Sequence, residues 1–208
     1  GQTLKDMELQ SIKVVKDMLN LTDSTKILML NKTIDLKDLL KNWDEAIQQF
    51  EGSLKVLGNH PGIAYVSTDS QEEIKRTESV WSNNVKQFDK AKEGIQTILA
   101  TDKLADFLKK GLNYIREAMQ KEGITSGELY FTILTTESAL ESLDLAGKEF
   151  VVKNLVVLAD EIAKRATTME TWGRRISIAL ALILVVVASL FTPIFSRALA
   201  RRIQLIED

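Results

Sequence analysis

No cysteine occurs anywhere in the chain. That excludes disulfide frameworks, cysteine-ligated metal centres and thiol nucleophiles. It leaves the compartment open, since a helical domain of about 170 residues buries a core large enough to hold without cross-links. Histidine is nearly absent too: His60 stands alone beside Pro61 in a turn-like stretch, where a solvated role is expected rather than metal ligation. No glycine-rich phosphate loop is present. The acidic pairs Glu72–Glu73 and Asp35–Asp38 read as helix starts and solvated faces rather than a glycosidase-type carboxylate pair. No catalytic constellation emerges, so neither an enzyme nor a cofactor is expected.

Proline is limited to Pro61 and Pro193, and glycine is sparse. With so few breakers, long helices are predicted. A basic face is missing as well. Residues 1–173 carry 22 Lys plus Arg against 27 Asp plus Glu, which argues against a nucleic-acid partner.

What the chain does have is one long uncharged run. Ile176 to Phe195, ISIALALILVVVASLFTPIF, holds twenty residues without a charge. A helix of that length covers about 30 Å, the hydrocarbon thickness of a bilayer. Arg174 and Arg175 precede it; Arg197, Arg201 and Arg202 follow it; Trp172 stands at an interfacial position. Residues 174–208 carry a net charge of +3, which suits anionic lipid headgroups. A transmembrane helix over 174–195 is predicted, with the lipid bilayer as a partner.

Hydrophobic periodicity sets the rest. Leu36, Leu40, Trp43, Ile47, Phe50, Leu54 and Leu57 alternate steps of four and three, a seven-residue repeat that buries one stripe. Upstream, Leu4, Ile12, Val15 and Leu19 extend a looser stripe. One long first helix is expected, with Asn20–Thr25 or Lys32–Asp35 as the alternative break points. Residues 58–69 form a loop, and Ser70 with Glu73 suggests a capping box. The second helix carries Ile74, Trp81, Val85, Phe88, Ile95 and Leu99 on one face. The third turns Leu104, Leu108, Ile115 and Met119 inward. Thr125 with Glu128 suggests a second capping box, and from Ser126 no strong breaker occurs before Gly173.

The predicted fold is therefore all-α: an elongated antiparallel bundle of four long helices, or two stacked modules, continuing into one transmembrane helix. Helices of about 55, 30, 20 and 47 residues do not match in length. The unequal lengths lead us to expect a homodimer that completes the four-helix layer. An even helix count puts the start of the first helix at the membrane. The opening GQTLKDMELQ shows no signal peptide and is already helix-like and charged, so a membrane segment just before residue 1 is expected.

An acidic helical domain, one span and then SRALARRIQLIED resembles the layout of bacterial transmembrane receptors. The domain is similar to the four-helix-bundle sensor region of methyl-accepting chemotaxis proteins and sensor histidine kinases. Arg201, Arg202, Ile203, Leu205, Ile206 and Glu207 resemble the first helix of a HAMP linker, although Gln204 and Leu205 stand where that pattern commonly has a proline-leucine pair. The resemblance implies an extracytoplasmic sensor domain over 1–173, the span over 174–195 and the start of a linker over 196–208. It implies a protein of the bacterial inner, cytoplasmic membrane with its bulk outside. A stimulus, small-molecule or protein-borne, would move the last helix and so reach a downstream cytoplasmic signalling module. Arginines lie on both sides of the span, so orientation rests on the resemblance and not on charge. A reading of another class is an α-helical pore-forming or membrane-remodelling protein; a third is a passive tether.

A small ligand in a bundle needs polar groups at inward helix positions. Arg76, Trp81, Asn83 and Asn84 on the second helix, Asn113, Tyr114 and Arg116 on the third and Tyr130 on the fourth are the candidates. Arg76 and Arg116 together would clamp the carboxylate of an organic acid or amino acid. Tyr65, near His60, is a further candidate at the membrane-distal tip.

Overall fold

The computed structural model describes residues 2–101 and 110–204, with side chains as far as Val185. Every regular element among them is helical: α1 (Gln2–Leu30), α2 (Leu36–Gly58), a 3-10 turn (Pro61–Tyr65), α3 (Thr68–Leu99), α4 (Leu112–Lys121), α5 (Glu128–Phe150), a π turn (Val151–Leu155) and α6 (Val156–Gln204). The chain divides into two units, Gln2–Lys164 and the segment from Arg165 onward.

The first unit is a four-helix bundle in which α1 packs on α2, α2 on α3, α3 on α5 and α5 back on α1. Neighbours run antiparallel. Along the α1–α2 seam, Trp43 reaches Thr25, Gln49 reaches Asp17 and Gln10 reaches Ser53. The short α4 lies outside this square, against α5 and α1.

The expected long first helix is two helices. Thr22 and Thr25 lie inside α1, where their hydroxyls donate back to the Leu19 and Leu21 carbonyls, so NLTDST does not break it. The break falls at Asn31–Asp35, the second of the two anticipated places. The Asn31 carboxamide oxygen accepts from the amides of Thr33 and Ile34, and Asp35 caps α2 by accepting from Lys37 N–H. This hairpin removes the length mismatch from which a second subunit was inferred, because four comparable layers now come from one chain.

The break also reverses the direction of α2 and of the helices after it. The 58–67 turn lies where α1 begins: Gly62 is packed so tightly against Met7 that a Cβ there would stand 2.9 Å from its Sδ. The Ser70 hydroxyl, in the first turn of α3, donates to Glu161 of α6. Tyr65 and His60 therefore sit at the bundle end shared by the start of α1 and Glu161, not at the opposite tip as expected. His60 Nδ1 accepts from the Gly62 amide and caps the 3-10 turn.

Both capping boxes are displaced. Ser67, not Ser70, caps α3. At α5 the cap is Gly127, whose φ of 101° only glycine adopts without strain, and no side chain caps it. Leu104 and Leu108 lie outside the described residues.

The core is aromatic at its middle. Phe50 meets Trp81 edge-on at 4.6 Å, Trp81 stands 5.2 Å from Phe88, and Phe88 lies 5.5 Å from Trp43. The Trp43 indole N–H, fully buried, donates to Thr25 Oγ1 at 2.9 Å.

In the second unit, α6 passes Gly173 without a break. Ile176, Ile178, Leu180, Leu182, Ile183, Leu184 and Val185 are all exposed. Among the described residues no helix is long and apolar enough to cross a membrane. Side chains 186–195 of the uncharged run, and those of the linker-like residues after it, lie outside the described set.

Candidate functional site

The polar residues singled out on the sequence fall in three separate places. Arg116, on α4, points at α5. Its Nε stands 2.7 Å from Glu137 Oε2, and its Nη2 donates to Asn113 Oδ1 at 2.6 Å. The Nε contact is ionic and off the N–H axis, since Nε makes no hydrogen bond of acceptable geometry. Glu137 is only 7% exposed, and its Oε1 has no hydrogen-bond partner. Burial pushes its carboxyl above the usual range; Arg116 opposes that, and the nearby carboxylates Glu141 and Glu117 add to it. Beside this pair, Gln120 donates to the buried Tyr130 hydroxyl at 2.8 Å. Lys32 Nζ lies 5.4 Å from the centre of the Tyr114 ring.

Arg76 is elsewhere. Its side chain is largely exposed and pairs with Glu73 at 3.5 Å, while Glu73 also accepts from Asn154 at 2.9 Å. Gly94 of α3 marks the level of Arg116, because it abuts Thr136, next to Glu137. Arg76 is some 18 residues back along α3, roughly 25 Å away at helical rise. The expected two-arginine clamp is therefore not assembled, and Arg116 is engaged by a carboxylate of its own chain.

Trp81 and Asn84 form the third place. Trp81 is a core residue whose indole N–H donates to Glu51 Oε1 at 3.2 Å. Asn84, half-buried, borders a cavity of about 10 Å³ with Met18, Leu143, Gly147 and Phe150, room for about one water. Asn83 is exposed.

Sequence reasoning missed the buried acids. Glu137 and Asp144 are both inside, and Asp144, paired with Lys148, leaves Oδ1 without a hydrogen-bond partner. Their signal was present: Tyr130, Glu137 and Asp144 follow each other at seven-residue spacing on the inward stripe of α5. Asp17, on α1, is likewise buried and held by Lys13 and Gln49. Among the described residues no group of three or more potential ligands could hold a metal ion.

No protein family, no curated protein and no solved structure matches this chain.

Proposed function

We propose that the chain is the sensing and membrane-anchoring part of a receptor: a helical bundle outside the cytoplasmic membrane, coupled through α6 to a cytoplasmic module. The observation that carries this reading is the span of α6. One helix, Val156–Gln204, holds Leu158 and Ile162 in the bundle core and then runs through the uncharged stretch that starts at Ile176. The exposed apolar side chains from Ile176 to Val185 favour a lipid surrounding. The arginines on either side favour stable insertion over transient insertion, which sets this reading above a pore-forming protein. In this scheme the last helix carries the stimulus by a small displacement or rotation.

The receptor reading includes a homodimer. Its support is exposed apolar surface on neighbouring elements: Leu9, Ile12 and Leu19 on α1, Leu145 on α5 and Val152 in the π turn after it.

Protease added to right-side-out and to inverted membrane vesicles tests the placement. Cleavage of residues 1–170 in right-side-out vesicles alone supports it. Cleavage in inverted vesicles alone, or release of the intact chain by alkaline carbonate, refutes it.

A further inference from the structure

The ten-residue α4 lies outside the four-helix square, packed on α5 and α1. Leu112, Ile115 and Met119 seat it. Polar ties add to this: the Gly111 amide donates to the Asn31 carbonyl at 2.6 Å, Gln120 donates to the Tyr130 hydroxyl at 2.8 Å, and Arg116 faces Glu137 at 2.7 Å. A helix of this length is marginal in water by itself. It therefore keeps its form through docking, and it can open locally while the bundle stays folded.

The Arg116–Glu137 tie fits poorly. Glu137 is 7% exposed, its Oε1 has no partner, and the Arg116 Nε makes no aligned hydrogen bond. A carboxylate taken out of water keeps its charge easily only when both oxygens are well paired. The surrounding charges do not supply this. From α4, Arg116 and Glu117 act on Glu137; from its own helix, Glu141 does; among the described residues no charged group of α1 or α3 does. Glu117 is shared with Lys32, whose Nζ lies over the Tyr114 ring. Burial outweighs the one guanidinium, and the Glu137 carboxyl stands above its usual range.

Lifting α4 takes Arg116 from over Glu137 and admits water, which returns the carboxyl to its ordinary behaviour. Docking and protonation are therefore linked. The docked form holds the proton more tightly, so docking is strongest at and below the ordinary carboxylate range. It weakens as pH rises through the docked-state value.

We infer that α4 is a proton-controlled clasp on α5, seated firmly while Glu137 is neutral and held more loosely once Glu137 ionises. The clasp needs no membrane. Because α5 runs through the π turn into α6, under the receptor reading the proton is a stimulus acting on the output helix.

The test is amide hydrogen exchange of the intact chain between pH 4 and 7, corrected for the intrinsic pH dependence of exchange. Protection of Ile115 and Met119 in α4 is divided by that of Phe50 and Leu54 in α2, which removes global stability from the comparison. The expected result is a fall of at least about threefold in this ratio as pH rises. The carboxyl carbon resonance of Glu137 should titrate with the same midpoint. Glu137→Gln should hold the ratio high and flat, while Glu141→Gln should retain the fall. A ratio that stays flat in the parent, a fall that persists unchanged in Glu137→Gln, or a midpoint different from that of the Glu137 carboxyl would overturn the inference.

Discussion

Phe150 and Leu155 are five residues apart, and both face the core, at 6% and 2% exposure. In an α-helix a step of five turns the second residue about 140° away from the first. The π turn Val151–Leu155 absorbs this step, since it holds one residue more than an α-helical turn would. Upstream, Leu140, Leu143, Gly147 and Phe150 are buried at steps of three and four; within the turn Val151, next to Phe150, is buried as well, and Leu155, Leu158 and Ile162 continue downstream. The π turn thus re-phases the stripe, so that one helical run stays in contact with the bundle from Glu128 to Ile162.

Deleting Val152, an exposed residue within that turn, should leave an uninterrupted α-helix with both stripes in register. Chemical denaturation should show stability within about 1 kcal/mol of the parent. Deleting the exposed Ser142 instead rotates everything after it by about 100° relative to the core. That variant should lose more than about 3 kcal/mol. Equal losses in the two deletions would show that the π turn has no re-phasing role.

Trp43 and Thr25 make a buried hydrogen bond with no exposure to water at the indole. Thr25→Val leaves that N–H without an acceptor and should cost about 1–3 kcal/mol. Trp43→Phe in the Thr25→Val background should cost less than Trp43→Phe alone. A double-mutant cycle measures the coupling, and purely additive losses would contradict it.

Glu137 should make stability depend on pH. Burial holds its folded-state carboxyl above the ordinary 4.5. Its contribution is therefore fully present below about pH 4.5 and is lost as pH rises through the folded value. Relative to the parent, Glu137→Gln should thus become progressively more stable between pH 4 and 7. Arg116→Met removes the opposing cation and should cost about 2 kcal/mol near pH 7, and less at pH 4. Denaturation midpoints across this range check both signs. A parent-minus-variant difference that stays flat with pH would contradict the burial argument.

Helical class, the positions of most breaks and the inward stripe of α3 were largely legible in the sequence, because regular spacing and scarce breakers act locally. The stripe expected upstream was not, since Ile12 and Leu19 are exposed and Met7, Val14, Met18 and Leu21 face the core instead. The break after Leu30 was legible only as an alternative. NLTDST and NKTID look alike by composition, and what separates them is tertiary. Thr25 is claimed by Trp43 across the hairpin, whereas the Asn31 side chain turns the chain and its main-chain carbonyl accepts from the Gly111 amide at 2.6 Å. From that single break came the inverted position of Tyr65. The arginine clamp was not legible as absent, since separation along a bundle depends on which helices pair. Glu137 was readable from its spacing, but a carboxylate on an inward stripe conflicts with the usual burial preference. Only a partner on another helix, Arg116, makes its position intelligible.

The placement of α6 in lipid is the claim on which the receptor reading depends most. Because the chain has no cysteine, single-cysteine variants at Thr168, Ser177, Ala181, Val185 and Ser189 each carry one thiol, and labelling by a membrane-impermeant maleimide in intact vesicles measures access along the helix. The account predicts rapid labelling at position 168 from the outer side only and none at 177–189 until detergent is added. Labelling of positions 177–189 in intact vesicles at the rate seen for 168 would contradict it.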